Sequence, residues 1–266
     1  MNINQYRLIN HDELEASANM AIDEAILMNC INCCRERSRP FPTLRFYKWQ
    51  NPTLSLGYHQ KLEEINIDEC KKNNIDIVYR PTGGKAVLHK DELTYSFIGR
   101  NTDFGNTLFE IYKQINEALA IGLNLLGANV EVYQENKEAY FNTSACFRVA
   151  TQADLCHKQK KLGGSAQLRR DNFFLQHGTI LIKRDIDILK KILNLKDGEY
   201  EDLLKTTISL EEILNRPIRW TEVKDAIISG FEIHFKNTFF SDELNNYESG
   251  LINSLKDRFV IKLTQL

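Results

Sequence analysis

The sequence lacks the features of a secreted or membrane-spanning protein. No apolar run in its 266 residues reaches the length of about 18 residues that a transmembrane helix needs. Residues 1–10 contain no apolar stretch of the kind found in signal peptides. We therefore expect a cytoplasmic protein.

Excess positive charge is also missing. The chain has 34 Lys and Arg against 36 Asp and Glu, a net charge of −2, so it has no cationic surface of the kind that binds nucleic acid. With 13 Gly and 5 Pro, it has little material for a long disordered linker. We expect an ordered chain that binds neither nucleic acid nor membrane.

Cysteine is present but sparse, at positions 30, 33, 34, 70, 146 and 156. Without a signal peptide, these residues are predicted to be free thiols rather than a disulfide framework. The cluster of Cys30, Cys33 and Cys34 has part of a zinc-site spacing, but no second pair of Cys or His stands at a ligand spacing from it. We expect no metal and no cofactor.

The first half of the chain alternates between helical and strand-like patterns. Apolar residues recur at helical spacing over 14–26 and 108–126. Short segments rich in aromatic or β-branched residues lie between them, at 43–49, 54–58, 76–79 and 93–98. These four segments are predicted strands.

Residues 154–182 again predict strands, with a break at Gly163 and Gly164. Helical patterns follow: Ser209 and Glu212 have the spacing of a capping box, and further helices are predicted to begin near Thr221 and at Ser241. We therefore predict an α+β fold with a mixed β-sheet core covered by helices over residues 1–183. Residues 184–266 are predicted to be a helical C-terminal portion packed on that core.

A glycine-containing segment, residues 79–89, is predicted to join two strands. Glycines let a backbone approach a ligand closely and expose its amide groups. The segment is not a phosphate-binding P-loop, because that motif needs Gly where Tyr79 stands and Ser or Thr where Ala86 stands. A ligand-binding loop and a simple hairpin turn both remain open.

Cys146 and Lys161 are candidates for a reactive pair. A lone Cys is usually a small buried residue and a lone Lys a solvated charge. Together, an ammonium near a thiol would favour the nucleophilic thiolate. At about 4 Å and an effective dielectric constant near 20, the attraction is of order 4 kcal/mol before desolvation.

Four motifs occur in a fixed order: RPTGGKAVLH at 80–89, ACF at 145–147, KLGGSAQ at 161–167 and QHG at 176–178. Together they resemble the biotin/lipoate protein ligase and transferase superfamily, and most of all its cysteine-dependent octanoyltransferases of bacterial lipoate biosynthesis. Shorter matches are MAIDE at 20–24, PTLRFY at 42–47 and LSLGY at 54–58. The resemblance covers residues 6–182 and continues more weakly over 209–235.

The resemblance implies a class II biotin/lipoate ligase-like fold and an acyltransferase reaction without a cofactor. In that reaction Cys146 takes octanoyl from acyl carrier protein as a thioester and passes it to the lysine of a lipoyl domain. Acceptors of this kind are the glycine cleavage H protein and the E2 subunits of 2-oxoacid dehydrogenases. Lys161 would activate Cys146, and Cys156 would have no role. The implied substrate-binding residues are Arg80, Thr82, Gly83, Gly84, Lys85, Ala86, Val87, His89, Gly163, Gly164, Ser165, Ala166, His177 and Gly178.

Several alternatives stay open on the sequence. The chain would also fit an ATP-dependent lipoate-protein ligase, an octanoyl relay between two lipoyl domains, or a non-catalytic protein that only binds acyl chains or lipoyl domains. Tyr79, Lys85 and Lys90 depart from residues common in the family, which leaves the acyl donor in question. The preferred acceptor and the use of lipoate itself are also open, and we expect a monomer.

Overall fold

The computed structural model describes residues 5–36, 38–133 and 154–261. In these residues the strands form a large sheet and a small one. The strands are β1 (Gln5–Leu14), β2 (Thr43–Trp49), β3 (Thr53–Leu56), β4 (Asp76–Tyr79), β5 (Val87–His89), β6 (Glu92–Arg100), β7 (Glu131–Val132), β8 (Leu155–His157), β9 (Lys160–Arg170), β10 (Phe173–Leu181) and β11 (Thr238–Ser241).

The large sheet has eight strands in the order β11-β1-β2-β6-β10-β9-β8-β7. The β1 strand pairs in parallel with both β11 and β2, whereas β2, β6, β10, β9, β8 and β7 pair antiparallel in turn. The small sheet has the order β4-β3-β5. The predicted mixed sheet is therefore confirmed.

Helices cover both faces of the large sheet. They are α1 (Ala16–Arg35), α2 (Ile67–Lys72), α3 (Asn101–Phe104), α4 (Leu108–Leu125), α5 (Ile186–Ile192), α6 (Asp197–Thr206), α7 (Leu210–Leu214), α8 (Trp220–Phe235) and α9 (Asn246–Phe259), with a 3₁₀ turn at Leu62–Glu64. In the described ranges, no helix has both the length and the apolar character needed to cross a bilayer.

Two apolar cores lie on opposite faces of the large sheet. On one face, α4 and α8 pack over Phe97 and Phe174, which are fully buried with Leu119 and Phe231. On the other face, α1 and α9 pack together, and Ile26 of α1 lies against the sheet. Burying a side chain of this size stabilises a fold by about 1.5–3 kcal/mol, so these helices are held on the sheet chiefly by apolar contact.

Most predicted elements are confirmed, and two details are wrong. The predicted strands at 43–49 and 76–79 coincide with β2 and β4, whereas Leu14 belongs to β1 rather than to the first helix. The helix predicted at Ser241 begins instead at Asn246, after a capping box of Asn245 and Glu248. Ser241 pairs with Leu8 in the sheet, because the parallel neighbour β1 is available to it.

The residues after 183 are closely joined to those before it. They contribute β11 to the edge of the large sheet and α8 to the core beside α4. A buried ion pair links Arg7 to Glu248, with Nη1 and Oε1 2.7 Å apart. The boundary at residue 183 stays a prediction.

The packing of α4 on α8 requires glycine at position 230. A Cβ atom there would lie 2.3 Å from the carbonyl oxygen of Ala118, too close for the helices to keep their contact. We expect Gly230→Ala to lower the free energy of unfolding by about 1–3 kcal/mol, measured by urea denaturation.

The matched control is Gly250→Ala, at an exposed position of helix α9, where an added Cβ meets no atom within 4 Å. This change should stabilise the protein by about 0.5–1 kcal/mol, because alanine loses less conformational entropy in a helix. Equal effects of the two substitutions would contradict the close approach of α4 and α8.

Candidate active site

The loop over residues 80–86 is not a hairpin turn. It leaves β4 and enters β5, but β3 lies between these two strands. The Arg80 guanidinium holds the loop from inside: it donates to the carbonyl oxygens of Ser55 at 2.9 Å, Gly83 at 2.8 Å and Lys85 at 2.7 Å. Gly84 has φ +97°, which a residue with a side chain rarely adopts. The hairpin alternative is therefore wrong, and Arg80 is the internal clamp of a folded loop.

This loop forms one wall of a cavity of about 370 Å³, a volume within the range of about 300–1,000 Å³ common for ligand sites. The large sheet and helix α4 form the other walls. The lining residues are Met20, Tyr47, Arg80, Gly83, Gly84, Val87, His89, Thr94, Leu108, Phe109, Tyr112, Asp154, Lys161, Gly164, Ser165, Ala166, Gln167, His177, Gly178 and Thr179.

The floor of the cavity comes from rows of side chains that cross neighbouring strands in register. One row runs through Tyr47, Thr94, Thr179 and Gly164 on β2, β6, β10 and β9. The next row runs through Arg45, Ser96, His177 and Ala166. Each row thus has a large side chain at its β2 end and a small residue at its β9 end, and the space above the small residues is open.

A buried carboxylate contacts side chains of both rows. Asp23 of α1 accepts hydrogen bonds from Arg45 and Ser96 at 2.7 Å each and from the Tyr47 hydroxyl at 3.1 Å. Burial by itself would raise the pKa of Asp23, but the Arg45 guanidinium and His177 hold it below its ordinary value. Asp23 is therefore an anion in a fully satisfied site.

His177 connects this carboxylate to the loop. Its Nδ1 lies 3.2 Å from Asp23 Oδ2, and its Nε2 lies 2.7 Å from the Thr82 hydroxyl. Burial lowers the pKa of His177 below its ordinary value, although Asp23 opposes the shift. A neutral ring that donates from Nδ1 to Asp23 must accept from Thr82 at Nε2. The Asp23 carboxylate thus sets the position of the cavity wall through His177.

An ion pair lies at the opposite side of the cavity. Lys161 Nζ is 2.7 Å from Asp154 Oδ2, and the two side chains are 2% and 1% exposed. The hairpin of β8 and β9 brings them together by turning at Lys158 and Gln159, both with positive φ. Tyr112 of α4 donates to Asp154 Oδ1 at 3.0 Å. Lys161 is therefore a buried ammonium with a fixed counter-ion.

Cys146 lies outside the described residues. Tyr133 and Asp154 are the described residues that flank this part of the chain. The backbone amide of Tyr133 donates to the carbonyl oxygen of Asp154 at 2.8 Å, and Asp154 lines the cavity. Cys156 is fully buried, and burial, reinforced by Asp154, raises the pKa of its thiol to about 12. A thiol with that pKa is a poor nucleophile at neutral pH, which argues against Cys156 as the acyl carrier.

In the part of the chain that the structure describes, no three His, Cys, Asp or Glu side chains lie close enough together to bind a metal ion. The cavity offers instead an apolar interior, a buried ammonium and a glycine-containing wall. This combination suits an aliphatic ligand with a reactive carbonyl group at one end.

Comparison with known proteins identifies the fold. The model of the lipoyl protein ligase A/B catalytic domain matches residues 15–232. This chain belongs to that family. The resemblance seen in the sequence motifs is therefore confirmed.

Two curated members of the lipoyl ligase A/B family match nearly the whole chain. Octanoyltransferase LipM of Carboxydothermus hydrogenoformans is 38% identical over 258 residues, covering 94% of each chain. Octanoyltransferase LipM of Clostridioides difficile is 35% identical and covers 97% of each chain.

Solved structures agree. A T. acidophilum protein proposed to be a lipoate protein ligase, with bound lipoic acid, has a TM-score of 0.76 and 25% identity, covering 96% of this chain and 95% of that one. Lipoate-protein ligase A bound with ATP has a TM-score of 0.77 at 24% identity, covering 97% and 95%. The second match shows the fold alone, and the predicted class II ligase-like fold is confirmed.

Eleven of the substrate-site and catalytic residues predicted from the sequence line the cavity of this family member. They are Arg80, Gly83, Gly84, Val87, His89, Lys161, Gly164, Ser165, Ala166, His177 and Gly178. The structure brings them together from the loop, β5, β9 and β10. Their roles stay predictions.

The other four described residues of that prediction lie behind the wall. Thr82 bonds to His177, and the Lys85 carbonyl oxygen accepts from Arg80. Ala86 packs in the core of the small sheet. A Cβ atom on Gly163 would lie 2.8 Å from the Thr179 carbonyl oxygen, so Gly163 lets β9 approach β10 closely.

Several residues of the site were not predicted from the sequence, above all Asp154 and Tyr112. Tyr112 was seen only as part of the apolar stripe of α4, and its hydroxyl gave no signal. Asp154 becomes a partner of Lys161 only through a two-residue turn whose Lys158 and Gln159 are not typical of positive φ. An Asn-Gly pair at this turn would have revealed the hairpin.

Two histidines near the Asp23–Arg45 pair, the half-buried His11 and the buried His177, predict a loss of stability in acid. Burial, and then Arg45, lowers the pKa of His11 to about 4, and burial also lowers that of His177. The unfolded chain therefore binds more protons than the native one below an ordinary histidine pKa of about 6.5. The free energy of unfolding should fall as the pH drops from 7 toward 4.

Urea denaturation between pH 7 and pH 4.5 measures this slope. His11→Gln keeps an acceptor for the Arg45 Nε–H, which lies 2.9 Å from His11 Nδ1, but cannot take up a proton. The slope should be shallower in this variant than in the parent. An identical slope would mean that His11 titrates alike in both states.

Proposed function

We propose that this chain transfers an octanoyl group from a carrier thioester, through a thioester on Cys146, to the lysine of a lipoyl domain. The chain is an acyltransferase of lipoate biosynthesis, like its octanoyltransferase relatives. The observation that supports a Cys146 thioester is the buried Lys161 ammonium at the wall of a largely apolar cavity.

The cavity suits an unbranched alkyl chain. Met20, Tyr47, Val87, Leu108 and Phe109 contribute apolar surface to it. At about 0.8 kcal/mol for each buried methylene, an octanoyl chain would gain roughly 5 kcal/mol. Binding energy of this size would hold the chain while its carbonyl group reacts near Lys161.

The reaction consists of two acyl transfers. The Cys146 thiolate attacks the carbonyl carbon of the donor thioester, the carbon–sulfur bond to the carrier breaks, and the carrier leaves as a thiol with the proton that Cys146 gave up. The neutral acceptor amine then attacks the Cys146 thioester. An amide bond forms, the carbon–sulfur bond to Cys146 breaks, and the amine proton passes to the sulfur.

Lys161 supports both steps in this proposal. A positive charge near Cys146 lowers the free energy of the thiolate, which is the nucleophile of the first step and the leaving group of the second. The wall loop, held by Arg80 and by Thr82 through His177, would keep the acyl chain aligned with that charge. Acyl carrier protein is the proposed donor, and a lipoyl domain in a relay is the alternative donor.

The ATP-dependent ligase is the second candidate. The structural similarity to a ligase with bound ATP favours it only at the level of the fold. The presence of Cys146 and the octanoyltransferase relatives favour transfer.

The covalent intermediate is directly testable. Mixing the full-length protein with octanoyl-acyl carrier protein should add one octanoyl mass, and neutral hydroxylamine should remove it, because thioesters are labile to this reagent. Intact-protein mass spectrometry measures both changes. An octanoylated lipoyl domain should replace acyl carrier protein as donor only if the relay operates.

Two variants locate the intermediate. Cys146→Ala should form no adduct, and Cys156→Ala should form it as the parent does, because Cys156 is buried and its thiol is protonated. A full adduct on Cys146→Ala would contradict the assignment.

Independence from ATP is the second test of the function. The thioester donor already carries an activated acyl group, so octanoylation of an acceptor lipoyl domain should proceed without nucleotide. The acceptor mass is followed with octanoyl-acyl carrier protein alone and with free octanoate plus ATP and Mg²⁺. Modification in the second mixture only would establish the ligase instead.

A further inference from the structure

Both partners of the ion pair of Asp154 and Lys161 are buried, and both line the cavity. The two side chains are 1% and 2% exposed and lie 2.7 Å apart. Desolvating two such charges is costly, and a well-packed apolar pair is often as stable or more so. A buried pair at this position therefore points to chemistry rather than to stability.

The Asp154 carboxylate is held by other contacts besides the one with Lys161. Tyr112 donates from helix α4 to Asp154 Oδ1 at 3.0 Å, and its hydroxyl lies 3.0 Å from the Ser165 carbonyl oxygen on β9. The Asp154 carbonyl oxygen accepts from the Tyr133 amide. Contacts to α4 and to the backbone beyond β7 thus hold the carboxylate that holds the ammonium.

We propose that Asp154 is a positioning residue for the acyl transfer: it keeps Lys161 protonated and holds its ammonium group at the cavity wall. The inference rests on the proposed function, in which that ammonium stabilises the Cys146 thiolate.

The physical reason is desolvation. An ammonium buried without a counter-ion tends to lose its proton, and a nearby carboxylate restores it. A neutral Lys161 would attract no thiolate, so the activation attributed to Lys161 would depend on Asp154. The hydrogen bond to Asp154 uses one of the three N–H donors of the ammonium group. It fixes the position of the ammonium group as well as its protonation.

The Asp154 carboxylate also has an electrostatic effect of the opposite sign on Cys146. A carboxylate 2.7 Å from the ammonium weakens the positive potential that a thiolate would feel. If Lys161 stayed protonated without Asp154, removing the carboxylate would strengthen its pull on Cys146. The two roles of Asp154 therefore predict opposite changes in the reactivity of Cys146.

Three further titratable side chains face the pair from neighbouring elements in the described residues: Tyr112 on α4, Tyr95 on β6 and Cys156 on β8. Burial raises the pKa of Tyr95 to about 12 and that of Cys156 to about 12. These two groups stay protonated and neutral near pH 7. A change of thiol reactivity in an Asp154 variant near that pH is then not due to their ionisation.

The first measurement is the rate of iodoacetamide alkylation of Cys146 against pH, read by peptide mass spectrometry on the full-length protein. Asp154→Asn should slow alkylation at pH 7 by about tenfold for each unit by which the thiol pKa rises. Lys161→Met should slow it similarly, and the double variant should be no slower than Lys161→Met. Faster alkylation of Asp154→Asn would overturn the proposal.

The second measurement reads Lys161 without reference to Cys146. With ¹⁵N-labelled lysine, the Nζ resonance of Lys161, assigned by its loss in Lys161→Met, reports the protonation state. The parent should show an ammonium at pH 7 and Asp154→Asn a neutral amine. An ammonium that persists in Asp154→Asn would overturn the proposal, whatever the alkylation rates.

A conservative variant covers the case in which Asp154→Asn does not fold, which circular dichroism detects. Asp154→Glu keeps the charge and moves it by one methylene, so it should keep Lys161 protonated and retain most of the alkylation rate. Loss of the ammonium signal in a folded Asp154→Glu protein would contradict the role.

The two hypotheses fail in different ways. If the parent forms no octanoyl adduct on Cys146, the proposed function fails, while the Nζ resonance still decides whether Asp154 keeps Lys161 charged. If the adduct forms but Lys161 stays an ammonium in Asp154→Asn, the function stands and the role of Asp154 falls.

Discussion

The buried ion pair of Asp23 and Arg45 is the interaction on which the cavity depends. Both side chains are inaccessible to solvent, so neither charge would be tolerated there alone. The Asp23 carboxylate also accepts from Ser96, Tyr47 and His177. One anion thereby ties a helix to three neighbouring strands, and the His177 ring extends the connection to the wall loop. The shape of an apolar cavity is thus set by a polar network behind it.

A second buried pair, Asp154 with Lys161, lies across the cavity and differs in its surroundings. The first pair is enclosed by side-chain donors and by the ring of Tyr47, which lies 4.0 Å from the Arg45 guanidinium. The second pair lines the open space itself. Between them, Gly164, Ala166 and Gly178 leave the room that an acyl chain would take. A rigid polar frame around small residues explains how a narrow cavity can persist in a close-packed protein.

The helices and strands were easier to predict from the sequence than the pairing of the strands. The strand Thr43–Trp49 was found because the segment is short, rich in aromatic residues and clearly bounded, and α4 because its apolar stripe is regular. The strand Thr238–Ser241 was missed, since its pairing with β1 depends on residues more than 200 positions away. Ser241 and Asp242 carry the local signals of a helix start, and a distant strand outweighs them.

The residues of the site could be predicted only where they belong to a recognisable motif. The motifs gave the wall loop and Lys161, because glycines and a family pattern mark them. They could not give the conformation of the loop, in which Arg80 binds its own backbone. They also could not give Asp154, whose pairing with Lys161 arises from the turn at Lys158 and Gln159. Residue identity is local information, whereas the partner of a buried charge is decided by topology.

The pairing of β11 with β1 has a consequence for the order in which the molecule can be completed during synthesis. The strand β1 (Gln5–Leu14) is synthesised long before β11 (Thr238–Ser241), which is one of its two neighbours in the sheet. Until then the β1 edge exposes unpaired backbone groups, and Arg7 lacks the Glu248 carboxylate that neutralises it. Contacts this distant in sequence slow folding. A growing chain of this family member therefore carries an open sheet edge until β11 has been made, and an unpaired edge of this kind is prone to associate with other chains.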